Sequence, residues 1–277
     1  MTYKTILVHI DDTERSKQRV EIAAQLAIRQ EAHLVGVAVT DISRFIYQDG
    51  SISGIDPSLL THLDFLRERA EHAAENFLPF AKQLGLTSYA SEVTQDEIDG
   101  GIVLHARYAD LIVIGQNNPS ELSPSVMNDF PEYLILHSGR PVLVVPYAGD
   151  FTTFGRRPLI AWDGGHSATR AITDAIPLLK MADLVQLVII NPPDQDHGEQ
   201  PGADIATYLA RHGVKLEVST HVTKVDVGNA LLSISADLNS DLIIMGGYGH
   251  SRFREMIMGG ATRTILESMT VPVLLSH

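Results

Sequence analysis

The sequence predicts two tandem α/β domains, each an open five-stranded parallel sheet with helices on both faces. Three observations lead there. At 277 residues the chain has room for about two domains of ordinary size. Its strand-like segments are short, solidly apolar runs separated by amphipathic helical stretches, the pattern of a parallel sheet covered on both sides. The two halves also repeat one another. Ile10-Asp11-Asp12 matches Trp162-Asp163-Gly164 at an offset of 152, while YADLIVIG (108–115) matches NSDLIIMG (239–246) and GRPVLVVP (139–146) matches TVPVLLSH (270–277) at an offset of 131. The expected domains are 1–148 and 156–277, with AGDFTTFGRR (148–157) as linker.

In the first half, the run Ile6 to Ile10 stops at two aspartates and reads as a strand. Val20, Ala23, Ala24, Ala27 and Ile28 then recur at helical spacing through about Gln30. His33 to Val39 is a second strand. Residues 41–59 have no clean period and read as a long loop. A helix follows from about Leu60 to Lys82, with Leu63, Leu66, Ala70, Ala73, Ala74 and Phe77 on one stripe. Thr87 to Val93 is strand-like, Glu97 to Tyr108 helical, Leu111 to Gly115 a buried strand, and Pro141 to Pro146 the fifth. In the second half the strands are 158–162, 185–190, 216–222, 242–245 and 271–275. Helices follow through Ala168 to Ile176, Ala203 to Arg211 and Val227 to Ala236, the last behind Asp226 as N-cap, and another begins near Ala261. Each half ends in an apolar strand that would leave a hydrophobic edge, so the halves are expected to pair through these strands about a pseudo-two-fold axis. Dimerisation of the whole chain stays open.

Composition removes several function classes. There is no cysteine, which excludes disulfides, thiolate nucleophiles and cysteine metal sites and fits a reducing, cytoplasmic setting. The net charge is -13, with 11 basic against 21 acidic residues in 1–150 and 10 against 13 in 151–277. That balance disfavours nucleic acid and anionic membrane as partners. No apolar run is long enough to span a bilayer.

Open α/β sheets bind ligands beyond the carboxyl ends of their strands, where the strand order reverses. In the second half those ends carry Asp163-Gly164, Ile190-Asn191 and the segment GGYGHSRFREMIMGGATRTIL (246–266). Gly246, Gly247 and Gly249 follow a strand directly, and Gly259-Gly260 precede a helix whose first N–H groups suit a phosphate. His250, Ser251, Arg252, Arg254 and Arg263 add donors and positive charge, and Asp163 suits a ribose hydroxyl. Plainer readings stand beside these: Asp163 as a helix cap, the arginines as a solvated face, Arg263 paired with Glu267 one turn on. His250-Ser251 is a weak nucleophile–base pair, and HExxH, GxSxG and Walker A patterns are absent.

These residues resemble the universal stress protein family over nearly the whole chain, as two UspA-like domains in one polypeptide. The family's nucleotide-binding members carry Gly, two residues, Gly, nine residues, then Gly followed by Ser or Thr. Gly246, Gly249 and Gly259 fall at that spacing, and Gly260 replaces the usual hydroxyl residue. The resemblance implies a Rossmann-like, adenine nucleotide alpha hydrolase-like fold. It also implies ATP (or AMP or ADP, with Mg2+ as companion) in the C-terminal domain: adenine near Ala161 and Ile190, ribose at Asp163, Met245 and Ala261 in contact positions flanking the glycines, phosphates over Gly249, Gly259, Gly260 and the first turn Ala261-Thr262, with Arg252 toward the outer phosphates. The first half departs from the motif, with Asn118 and Asn128 at the second and third glycine positions and Asp129 after them, so it is expected to bind no ATP. The implied role is a nucleotide-responsive regulator in stress response acting on an unidentified protein partner, at most a slow ATP hydrolase. The alternatives are a scaffold protein with a vacant loop, its contact surface the 41–59 loop, and, at low weight, an enzyme of the related fold.

Overall fold

Why solid apolar runs become strands here is visible in the burial of consecutive residues, which occurs only where both faces of a sheet are covered. In the computed structural model, described for residues 2–42, 57–96, 98–118, 130–192, 202–249 and 260–277, Ile6, Leu7 and Val8 are all buried, as are Leu111 to Ile114 and Leu242 to Met245. The chain divides into two compact units, one formed by Tyr3–Arg140 and the other by Pro141–His277 with the first two residues.

The first unit contains β1 (Thr5–His9), α1 (Ser16–Gln30), β2 (His33–Val39), α2 (Pro57–Gln83), β3 (Tyr89–Thr94), α3 (Ile98–Ala106), β4 (Leu111–Gly115) and α4 (Phe130–His137). Its strands are parallel in the order β3-β2-β1-β4. The chain steps from β1 outward to β3 and then returns to the other side of β1, so the order reverses between β1 and β4. Helix α2 starts at Pro57, three residues before the expected start, and continues past Pro79. Most of the 41–59 loop, residues 43–56, lies outside the described residues. Helix α4 was not legible from periodicity, being only eight residues long, although Pro131 and Glu132 in its first turn are ordinary start signals.

The second unit contains β5 (Val142–Val145), β6 (Pro158–Ala161), α5 (His166–Leu179), β7 (Val185–Ile190), α6 (Ala203–Arg211), β8 (Leu216–His221), α7 (Val227–Asp237), β9 (Leu242–Gly246), α8 (Ala261–Ser268) and β10 (Val273–Ser276). Strands β8-β7-β6-β9-β10 are parallel, with the reversal between β6 and β9. Beyond β10 lies β5, paired antiparallel, with Val144 opposite Val273, Leu143 opposite Leu274 and Val142 opposite Leu275. Leu143 and Leu274 are equivalent in the repeat, so the two strands meet about a local two-fold at that pair. The repeat suggests a boundary near 148, whereas compactness groups β5 with the second unit because its edge is taken by β10. The segment 148–157 is not a loose tether, since Phe154 within it is fully buried.

The repeated AD and SD dipeptides have a shared task. Asp110 accepts the backbone N–H groups of Lys4 (2.7 Å) and Thr5 (3.0 Å). Asp241 accepts those of Arg156 (2.8 Å) and Arg157 (2.9 Å). In each half one carboxylate thus closes the start of the first strand onto the start of the fourth. Asp226 caps α7 as expected, its Oδ2 accepting from the Asn229 N–H at 3.0 Å.

Candidate functional site

The reversal between β6 and β9 brings Asp163, Gly246 and Gly249 together at the carboxyl ends of the second unit's central strands. Gly246 is glycine because α5 runs directly over it: a Cβ there would lie 2.6 Å from the Ala168 backbone nitrogen and 2.8 Å from Ser167. Two residues on, Tyr248 takes a left-handed φ of 53°, which turns the chain across the strand end. Its N–H donates to the Thr262 Oγ1 at 3.2 Å, tying the turn to the first turn of α8. Thr262 is itself buried, so this hydroxyl holds the loop against the helix.

Asp163 lies in the turn between β6 and α5, followed by Gly164 at φ 77°. Its Oδ1 accepts the Gly165 N–H at 2.8 Å, so the capping reading accounts for one carboxylate oxygen. The other, Oδ2, has no protein donor among the described residues and faces Gly249, where a Cβ would be 4.0 Å away. That glycine is exposed, and the same Cβ would meet nothing closer than the Ser167 Oγ at 3.7 Å. Among the described residues, the space over it is open.

Two helix N-termini border this space. Helix α5 starts behind Gly165 and α8 behind Gly260, and neither carries a side-chain cap. Their first-turn N–H groups leave a partial positive charge suited to an anion. Ala161, half-buried at the end of β6, sits level with Val188 of β7. Ile190 ends β7, and the following Asn191 clasps the loop after β8: its Oδ1 accepts the Thr223 N–H (2.8 Å) and its Nδ2 donates to the Thr223 carbonyl (3.0 Å). Met245 is buried in β9. Arg263, one of the candidate cations, is engaged with Glu267, its Nε donating to Oε1 at 2.7 Å. Arg252, Gly259, the pair His250-Ser251 and Arg254 lie outside the described residues. Among the described residues no cluster of His, Asp and Glu suits a metal ion, and no helix is long and apolar enough to cross a membrane.

The corresponding reversal in the first unit, between β1 and β4, is built differently. Arg19, on the buried stripe of α1, points its guanidinium into it. Nε donates to the His9 carbonyl (2.6 Å), and Nη2 donates to the Asp11 Oδ2 (2.7 Å) and, at 3.4 Å, to the Ser16 Oγ. Nη1 fills the place beside Gly115 where a Cβ would come within 2.7 Å of it. The remaining Asp11 oxygen accepts the N–H and hydroxyl of Thr13 (3.0 and 2.5 Å). Burial alone would raise the Asp11 carboxyl, but Arg19, with His9 and the Thr13 hydrogen bonds, holds it well below the usual carboxylate range. Burial, reinforced by Arg19 and only partly opposed by Asp11, lowers His9 to about 4, so it is neutral at pH 7 where it meets the Phe130 ring edge. Sequence reasoning missed Arg19. The signal was there, because the offset that aligns Asp11 with Asp163 sets Arg19 against Ala171: a charged residue on a stripe that is otherwise apolar.

The sequence model of the Universal stress protein family matches residues 2–146 and 156–277. A universal stress protein of Synechocystis sp. is 26% identical over 98% of this chain and 99% of its own, and one of Mycolicibacterium smegmatis is 22% identical over 97% and 95%. The crystal structure of a universal stress protein from Archaeoglobus fulgidus covers 98% of this chain and 95% of its own at a TM-score of 0.73 and 17% identity, a likeness of fold. With two matches that between them leave only the segment around the linker and the first residue uncovered, this chain belongs to the universal stress protein family, as a tandem member.

Proposed function

We propose that this protein is a nucleotide-responsive regulator in the stress response, with a single adenine-nucleotide site in the C-terminal domain (156–277) and a first domain (1–148) that takes no ATP. The observation that carries the reading is the Asp163 Oδ2, which among the described residues has no donor and lies beside open space over Gly249, flanked by two helix N-termini without side-chain caps. A carboxylate oxygen of this kind accepts from ribose hydroxyls. Adenine would rest on the apolar strand ends at Ala161, Ile190 and Met245. The phosphates would be met by N–H groups from Gly249 and from Gly260 to Thr262, with Gly259 and Arg252 completing the loop. Each charge-assisted bond to such a group is worth about 1.5–3 kcal/mol. Mg2+ would be held by the phosphate oxygens rather than by a protein cage. A cytoplasmic setting suits a chain with no cysteine. The nucleotide state would be read out by a protein partner.

Calorimetric titration of the intact chain with ATP tests the reading. The expected result is close to one ATP per chain, at least a roughly tenfold loss of affinity in Gly259→Asp (about 1.4 kcal/mol), a comparable loss in Asp163→Ala, and unchanged binding in Asn128→Asp. Unaltered affinity in folded Gly259→Asp and Asp163→Ala would remove the nucleotide from this site and leave the scaffold reading ahead. Two equal sites would refute the asymmetry.

A further inference from the structure

We propose that Arg19 acts as a built-in counter-ligand for Asp11, closing the first domain's crevice from within, and that Arg or Ala at this helix position decides which repeat accepts a ribose-bearing ligand. This deepens the nucleotide reading above and rests on it.

A ligand at a strand-order reversal needs three things: space between the two strand ends, a hydrogen-bonding group left unspent, and access to the first turn of the helix. In the first unit Arg19 takes all three. Its Nη1 fills the place beside Gly115 at the end of β4. Its Nη2 takes the Asp11 Oδ2, while Thr13 takes Oδ1, so both oxygens are engaged within the protein and a hydroxyl would have to compete with the guanidinium. Its contact with Ser16 bridges to the first turn of α1. The side chain is 95% buried and, through Nε, also holds the His9 carbonyl at the end of β1. A guanidinium with donors directed at two strand ends and one helix turn fixes the elements that a nucleoside would otherwise bridge. In the second unit Ala171 is fully buried and carries no side-chain donor, Gly246 packs straight onto the α5 backbone, and among the described residues the Asp163 Oδ2 stays unspent. The glycines of the motif explain how phosphates are admitted. They do not explain why Asp11 and Asp163, identical in sequence, differ in availability; the residue eight positions on does.

The test uses the full chain, two readouts and reciprocal variants. In Ala171→Arg, calorimetry should show at least a tenfold loss of ATP affinity. Ala171→Met, which adds bulk without charge, should lose no more than about threefold. In Arg19→Gln, the Asp11 carboxyl, followed by carbon NMR, should titrate at higher pH, while ATP affinity and stoichiometry stay those of the unmodified chain because Asn118, Asn128 and Asp129 still exclude the phosphates. A folded Ala171→Arg with unchanged ATP affinity, or Arg19→Gln with unchanged Asp11 titration, overturns the proposal. If the buried arginine prevents Ala171→Arg from folding, Arg19→Gln alone decides it. If the unmodified protein takes up no ATP, the nucleotide reading fails, and the Asp11 titration still decides whether Arg19 is its counter-ligand.

Discussion

Two strand ends at equivalent positions of the repeat, His9-Ile10-Asp11 and Ala161-Trp162-Asp163, share only their aspartate and have become opposite environments. The first is sealed: Asp11 is half-buried and ion-paired, with both oxygens hydrogen-bonded, and His9 beside it is buried and neutral. The second is open: Asp163 is exposed, with one oxygen spent on a cap and the other free of protein donors among the described residues. The backbone frame is the same, down to the aspartate that closes each first strand. The difference comes from side chains one or two turns into the following helix and from how closely that helix approaches the fourth strand. A repeat can therefore keep its fold while its site is rewritten by a few residues that never form part of a motif.

The largest effect should come from the closeness of helix and strand. Gly246→Ala sets a methyl 2.6 Å from a backbone nitrogen of α5, and moving a helix should cost about 3 kcal/mol by urea denaturation. Gly115→Ala meets instead the end of the Arg19 side chain at 2.7 Å, which can shift, so the cost should be smaller, about 1–2 kcal/mol. Equal costs would mean that the two helices seat on their strands in the same way.

Acid sensitivity should separate the halves next. His9 is held at about 4 in the fold against an ordinary 6.5, so between these values the unfolded chain binds a proton that the folded chain refuses. Its contribution to stability is present above pH 6.5, falls as pH drops, and is fully lost by pH 4, for about 3 kcal/mol in all. His9→Leu should flatten this part of the stability profile. Asp11, whose folded value is depressed, adds a loss that begins as pH falls through the ordinary carboxylate range and continues below it. A profile unchanged by His9→Leu between pH 6.5 and 4 would show that the ring is protonated in the fold.

The smallest contrast is an expected equality. Asp110→Ala and Asp241→Ala each remove an acceptor for two backbone N–H groups in partly exposed positions, and each should cost about 1–2 kcal/mol. A large inequality between them in thermal unfolding would break the view that the frame is shared and only the site differs.

The parallel strands were legible because burial on both faces leaves an unbroken apolar run, and β2, β4 and β7 fall at the residues expected. The helix ends were less so, since α1 starts two residues after Glu14 and α2 three before Leu60: capping and tertiary contacts set ends, and period does not. At the site, the positions of Asp163, Gly246 and Gly249 followed from the strand ends alone. What did not follow was the state of each aspartate, because an ion pair across a helix turn leaves no periodic trace. Asp11 was readable as a cap. That it is locked by Arg19 is visible only when the helix is laid against the strand.

The pairing of Val142–Val145 with Val273–Ser276 has a consequence for how such a chain can be divided. A fragment cut at the repeat boundary and starting at 156 would carry β10 without β5, presenting Val273, Leu274 and Leu275 along a bare edge. Since Leu143 and Leu274 occupy the same repeat position and face one another across the two-fold, the partner such an edge best accommodates is another copy of itself. Severed from its first repeat, the second would trade a covalent neighbour for a concentration-dependent one, and its persistence in dilute solution would become a matter of mass action.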